Sequence, residues 1–404
     1  MRKSIIYILL LMLVASCTKK GVMEGDWYAV LKINDDVEIP FVLIINESKV
    51  YWDVRIKNGG ESISLDAKQV KDSLFLKFPA FDSELHLKIK NREVLEGKWY
   101  NYAKGDYTIP VYAKYDFEKY FVANSLENVT GKWAVQFAVG SEEEWPAIGL
   151  FMQTNDDELN GTFRTEMGDY RFLRGALNND QFKLSSFDGA HAFLFTSVVK
   201  NDGQTMEEGK FYSGKHYETD WVATKNNTIE LSNPDSLTVL EEGEKFAFNF
   251  PQYDFTKDIT YPSETFDNKV VIVQIMGSWC SNCMDETRYL TNLYEEYHDD
   301  GLDIIGVAFE NPDNMEKVTS NLTTYINDMS IPYPILYGGK SSKKAAGLAF
   351  PMLDQVMAFP TTIYIDKKGE VRKIHTGFDG PGTGEVYDQF KRINNRFIQT
   401  LLAE

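Results

Sequence analysis

Cysteine is nearly missing from this sequence: three residues in a chain of 404. A framework of structural disulfides is thereby excluded, since three cysteines close at most one bond. Positive charge is also short, with 42 Lys and Arg against 60 Asp and Glu and a net charge of −18. Such a chain repels phosphate, which excludes nucleic acid as a partner. Histidine is thin as well. His86, His191, His216, His298 and His375 are scattered without ligand spacing, so no bound metal is expected. No phosphate-cradling glycine motif occurs, because Gly377, Gly380, Gly382 and Gly384 make a loose loop and not a nucleotide fingerprint. No cofactor is expected on these grounds. The apolar stretch from Ile5 to Val14 has about half the ~20 residues that a membrane-spanning helix needs.

What is present begins with that stretch. Arg2 and Lys3 precede it, and Val14-Ala15-Ser16-Cys17 follows. A charged start, a short apolar run and small residues before the break are the parts of an export signal. The last four residues resemble the lipobox of bacterial lipoproteins. That resemblance implies cleavage after Ser16, a thioether-linked lipid on Cys17 and firm attachment to a membrane through several acyl chains. Residues 17–24 then read as a lipidated tether, since so acidic a body should stand off from anionic lipid.

At this length two or three domains are expected. Residues 25 to about 228 read as strands. Leu85-His86-Leu87-Lys88-Ile89-Lys90 alternates with period two, and so do Trp52, Val54 and Ile56 with Asp53, Arg55 and Lys57. Asn58-Gly59-Gly60 and Asn160-Gly161 read as turns between such runs. The region repeats itself. Gly25-Asp26-Trp27 matches Gly131-Lys132-Trp133, and Glu96-Gly97-Lys98-Trp99-Tyr100 matches Glu208-Gly209-Lys210-Phe211-Tyr212. A spacing of about 106–112 residues predicts two copies of an antiparallel meander, over 25–116 and 131–228. They make either two small β domains or two halves of one barrel or sandwich. Asn226 to Pro234 reads as a linker. From 236 to 404 strands alternate with helices, giving a βαβ unit, then a hairpin, then a last helix.

The chemistry lies at one corner of that last domain. Val270 to Met276 is a continuously apolar run, as a strand buried on both faces requires. It is followed by Gly277-Ser278-Trp279-Cys280-Ser281-Asn282-Cys283 and then by apolar residues at helical spacing. The first cysteine of the C-x-x-C therefore falls at a helix N-terminus, where free N–H groups and the helix dipole stabilise a thiolate. Two cysteines at this spacing close and reopen a small disulfide. Cys280 is the expected attacking residue and Cys283 the resolving one.

These residues, together with Glu286, Gly306-Val307-Ala308, Tyr333-Pro334 and Phe359-Pro360-Thr361-Thr362 before Ile363 to Gly369, resemble the thioredoxin superfamily. Within it they are most similar to exported TlpA-type disulfide reductases, over roughly residues 238–404. The resemblance implies a thioredoxin-like fold and a cis bond at Pro360 lying against the cysteines. It also implies that the Phe359 backbone is presented to the substrate chain, that Trp279 shields the disulfide, and that Glu286 tunes proton transfer. Gln274 stands where thioredoxin has a buried carboxylate, and an amide cannot relay a proton. Asn282 replaces the proline common before the second cysteine, so the direction of electron transfer is less specified than the chemistry. The implied activity is reduction of protein disulfides in the bacterial cell envelope, facing the periplasm, with electrons from a membrane thiol–disulfide carrier. Oxidation or isomerisation would use the same residues. A ligand-binding lipoprotein with an auxiliary redox domain is the alternative from another class. A thiol peroxidase would need threonine three residues before its cysteine, where Gly277 stands.

Overall fold

A computed structural model describes residues 21–47, 52–115, 124–154 and 158–404. Residues 1–20, which hold the expected signal, Cys17 and the start of the tether, lie outside the described residues. The end of the expected tether is not free: Val22 is buried and the Met23 N–H donates to the Arg92 carbonyl.

The two copies fold as two separate closed barrels. In the first, eight strands from Gly25–Lys32 to Tyr107–Lys114 pair in chain order, and the last pairs with the first. In the second, eight strands from Gly131–Phe137 to Tyr217–Lys225 do the same, closing through the pairing of those two strands. A two-residue strand, Gly168–Asp169, extends one rim of the second barrel. Closure removes the exposed edges that an open meander of this length would carry.

The period-two pattern decides which side chains fill the barrels. Leu85 and Leu87 point inward and are buried, while Lys88 between the runs is exposed. The repeat is visible atom by atom: Trp27 Nε1 donates to the Met23 carbonyl, and Trp133 Nε1 donates to the Val129 carbonyl, each four residues back. Trp27, Trp99, Trp133 and Trp221 are all fully buried. The second barrel is filled largely by aromatic side chains, Phe137, Phe151, Phe163, Phe182, Phe195 and Phe211 among them, while around Trp27 and Trp99 the first is filled by Leu, Ile and Val. Asn160-Gly161 is not a turn. It lies inside the strand Leu159–Thr165, where a Cβ on Gly161 would meet the Leu150 carbonyl oxygen at 2.3 Å. The glycine serves a close strand approach.

The C-terminal domain is an α/β thioredoxin-like fold. Its strands are β1 (Val270–Met276), β2 (Leu302–Glu310), β3 (Ile335–Lys340), β4 (Thr361–Ile365) and β5 (Val371–Thr376). The sheet order is β3-β2-β1-β4-β5, with β1, β2 and β3 mutually parallel, β4 antiparallel to β1 and β5 antiparallel to β4. Helices α1 (Ser281–Tyr297), α2 (Met315–Met329) and α4 (Glu385–Ala403) share one core with alternate residues of the sheet. Helix α3 (Lys343–Ala349) packs on the other side with a hairpin of Phe248–Pro251 and Asp258–Tyr261.

The three bodies are docked tightly. Phe187 of the second barrel inserts among Phe41, Phe78 and Trp99 of the first, with ring centroids 4.8, 5.2 and 5.0 Å away. Asn58 makes two hydrogen bonds to the Phe187 backbone. Asp328 on α2 accepts from the Ala80 N–H of the first barrel at 2.8 Å. The linker after the second barrel is also held: Lys132 donates to Glu230 at 2.8 Å, and just beyond the linker His375 and Asp235 lie 2.6 Å apart and Thr376 donates to Thr238.

Candidate redox site

Strand β1 is buried at every residue, so it fixes where the chain emerges into Gly277-Ser278-Trp279. Cys280 then takes extended backbone angles, φ −98° and ψ 114°, as the N-cap of α1. Its Sγ accepts a hydrogen bond from the Cys283 N–H at 3.1 Å. That contact, with the helix dipole behind it, stabilises negative charge on this sulfur once the disulfide opens. Cys280 and Cys283 are joined as a disulfide, with their Cα atoms 5.2 Å apart. Cys280 is 6% exposed and Cys283 is 0% exposed. An incoming group reaches the first sulfur and not the second.

Phe359 and Pro360 face the pair. The Phe359–Pro360 peptide is cis, and the Phe359 carbonyl oxygen lies 3.4 Å from Cys280 Sγ, where a thiol would donate to it. Trp279 donates from Nε1 to the Phe309 carbonyl at 2.8 Å and meets the Phe359 ring edge-on at 5.6 Å. These two rings form one wall beside Cys280.

Glu286 is fully buried one turn beyond Cys283. Gln274 Nε2 donates to its Oε2 at 2.9 Å and also to the Cys283 carbonyl at 3.3 Å, and Thr362 Oγ1 lies 2.8 Å from both carboxylate oxygens. Burial raises its pKa to about 7, against the lowering effect of the Gln274 and Thr362 contacts. The amide at 274 therefore orients a buried acid that sits where protons can be exchanged near neutrality. An acid with a raised folded pKa stabilises the fold fully below its unfolded value of 4.5, and that contribution is lost as pH rises towards 7. Glu286→Gln protein is accordingly expected to match the wild type in stability at pH 4 and to exceed it at pH 8, by on the order of 2–3 kcal/mol. Denaturant unfolding at the two pH values measures this, and equal wild-type and variant curves at pH 8 would contradict it.

Sequence reasoning missed a second buried acid and an entire wall of the site. Glu310, at the end of β2, accepts from the Ser278 N–H at 2.8 Å and from Ser278 Oγ at 2.7 Å. Burial raises its pKa to about 7. The wall comes from the second barrel. Ser281, between the cysteines, is 3% exposed and donates to Asp188 Oδ2 at 2.7 Å, while His191 Nδ1 lies 3.0 Å from the same hydroxyl. With its single proton given to Asp188, Ser281 accepts from His191, which therefore carries its proton on Nδ1.

A buried arginine ties the bodies together. Arg171 of the second barrel contacts both carboxylate oxygens of Asp285 on α1 at 2.8 and 3.0 Å, Asp188 at 3.1 Å and Glu61 of the first barrel at 2.5 Å. Burial alone would raise the Asp188 pKa, but His191 and Arg171 overcome it and hold the carboxyl well below its ordinary range. The glycine-rich loop expected to be loose is instead part of this seam. The Gly380 N–H donates to Asp169 Oδ1 at 2.9 Å, and Asp379 pairs with Arg164 at 2.5 Å. No short sequence pattern announces these residues, because they come together from barrel loops and strands, helix α1 and the loop after β5, at separations from 17 to 215 positions.

The sheet order and a disulfide at the β1-to-α1 corner, with a proline ahead of β4 facing it, define a thioredoxin-like thiol–disulfide oxidoreductase domain. Comparison with known proteins agrees at the level of this domain. Residues 247–390 match the Redoxin family model. The chain is 29% identical over 112 residues to the thiol-disulfide oxidoreductase ResA of Geobacillus thermodenitrificans, covering 28% of this chain and 57% of that protein. It is 28% identical over 127 residues to the thiol:disulfide interchange protein DsbE of Vibrio cholerae, covering 30% of this chain and 60% of that one. The chain thus spans less than two-thirds of the length of the curated relatives it matches. A solved structure of a putative protein disulfide isomerase from Bacteroides thetaiotaomicron aligns with 18% identity and a TM-score of 0.30, over 41% of this chain and 93% of that one. No described helix is long and apolar enough to cross a membrane, and no group of metal-ligating side chains occurs among the described residues.

Proposed function

We propose that this chain is an envelope thiol–disulfide oxidoreductase that reduces protein disulfides through Cys280 and Cys283. The observation that carries this reading is the unequal pair: a slightly exposed sulfur at a helix N-cap bonded to a wholly buried one. In the cycle, the Cys280 thiolate attacks one sulfur of the substrate disulfide, and the other sulfur leaves as a thiol after taking a proton. Cys283, losing its proton towards Glu286, attacks Cys280 and releases the second substrate thiol. Two electrons pass to the substrate, and a membrane thiol–disulfide carrier that offers its thiols on an extended segment restores the dithiol. Trp279 and Phe359 shield the sulfurs in this scheme, and Pro360 keeps a branched side chain away from them.

A reductant is expected to have a midpoint potential near that of thioredoxin, about −270 mV, and an oxidant one near −120 mV. Equilibration of the full chain with glutathione or dithiothreitol buffers measures it, and a value near −120 mV would replace reduction by oxidation with the same residues. A ligand-carrying role for the barrels has less support, because buried apolar side chains fill their interiors. Peroxidase chemistry has none from Gly277.

Lipid attachment through Cys17 completes the proposal. Cells producing the Cys17→Ala chain are expected to release it from the membrane fraction and to lose fatty-acid labelling. Unchanged labelling would refute the anchor.

A further inference from the structure

We propose that the second barrel restricts the Cys280–Cys283 pair to slender disulfides, those of small molecules or of unfolded chains, and bars disulfides on folded protein surfaces. This rests on the redox reading above and names its substrate class. Cys280 lines a cleft of about 210 Å³ between the two bodies. One side of the cleft is Trp279 and Phe359 of the redox domain; the other is Gly168, Tyr170, His191 and Phe193 of the barrel. The volume is below the ~300–1,000 Å³ of an ordinary ligand pocket, so a slender disulfide fits between the two walls and the face of a folded partner does not.

Docking of a folded partner commonly buries about 800 Å² on each side. The surface around an active dithiol that would supply this area is already occupied. Ser281 is held by Asp188 and His191, Asp285 by Arg171, and Asp379 by Arg164. The approach is closest at Gly168, where a Cβ would meet Asn282 Nδ2 at 2.1 Å and the Phe378 carbonyl oxygen at 2.8 Å. The same glycine has φ +124°, a conformation that other residues adopt only with strain. Glycine at this position lets the barrel rim lie directly on the residue between the cysteines. Tyr170, His191, Phe193, Trp279 and Phe359 give the lining its rings, and the Arg171 guanidinium within it is already paired with Asp285, Asp188 and Glu61. The cleft therefore offers stacking surface with that permanent charge neutralised, which suits an uncharged or peptidic disulfide.

The test is single-turnover oxidation of the reduced full chain by three probes. They are hydroxyethyl disulfide, a short linear peptide closed by one disulfide, and a folded protein with one surface disulfide. Each rate is divided by that probe's rate with dithiothreitol. The first two probes are expected to react at similar relative rates and the folded one about 100-fold more slowly, as for an association that first requires a conformational opening. Gly168→Val, which wedges the barrel from Asn282, and Arg164→Ala, which cuts the seam elsewhere, are expected to raise the folded probe's rate selectively. Comparable relative rates for all three probes in the wild type would overturn the inference while leaving the redox function intact. So would a folded-probe rate unchanged in both variants when hydrogen exchange shows the seam opened. Failure of every probe to oxidise the pair would instead remove the redox function itself.

Discussion

Cys280→Ser protein is expected to lose thiol–disulfide exchange down to the uncatalysed rate, and Cys283→Ser protein to stop halfway with substrate linked to Cys280. The two results differ because the two sulfurs differ. Cys280 is the one with access to the cleft and with the Cys283 N–H directed at it, so its removal leaves no accessible nucleophile. Cys283 has no exposed surface, so its removal leaves attack possible and resolution impossible. A serine oxygen cannot replace either sulfur, since its proton is held far too strongly at neutral pH. Reduction of a peptide disulfide followed by mass spectrometry distinguishes the cases. The Cys283→Ser protein should gain the mass of one substrate half, released by excess reductant. Equal activity of the wild type and Cys280→Ser would remove the enzyme altogether.

Arg171→Met protein is expected to lose about 3–5 kcal/mol of stability at neutral pH, the range for breaking a buried charge network from one side. The guanidinium serves Asp188, Asp285 and Glu61 at once, all three nearly inaccessible to water. Methionine fills the volume and removes the cation the three share, leaving Asp285 with the half-exposed Arg288 and Asp188 with His191 and Ser281. Arg171→Lys should not restore the loss, because a single ammonium cannot reproduce the fork that holds both Asp285 oxygens. The effect has a pH signature. Asp188 is held below its ordinary value of 3.8 in the folded chain, so its contribution is complete above that value and disappears as pH falls through the lower, folded one. The difference between wild type and variant should therefore be full at pH 7 and shrink below about pH 4. Denaturant midpoints across that range measure it, and a wild-type advantage below about 1 kcal/mol at pH 7, the scale of an exposed pair, would contradict the network's role.

The parts of this molecule that were legible from sequence are those governed by local rules. The alternation around Leu85 and Leu87 announced barrel strands, and the shared Gly-x-Trp and Glu-Gly-Lys-aromatic signatures announced that there were two copies. Whether those copies made one body or two was not legible, because closure depends on pairing between the first and last strands, more than eighty residues apart. At the redox corner, the apolar run before Cys280 and the helical spacing after Cys283 were enough to place the dithiol. Glu286 was ambiguous because a lone carboxylate on a helix is ordinarily solvated, and its burial depends on Gln274 and Thr362 from two different strands. The seam was invisible. Arg171, Asp188 and His191 belong to loops with no periodicity, Gly168 carried no signal at all, and Gly377, Gly380 and Gly382 read as a loose loop where the fold uses them for close approach. Asn160-Gly161 misled for the related reason that a glycine for a tight turn and a glycine for a crowded strand look alike in sequence.

The most direct test of the account is the rate at which each sulfur of the reduced full chain reacts with iodoacetamide at pH 7, mapped by mass spectrometry. Cys280 should be modified first and faster than free cysteine, with Cys283 protected until the chain unfolds. A Cys280 no more reactive than a free thiol, or a Cys283 modified at the same rate, would contradict a nucleophile made by the corner between β1 and α1.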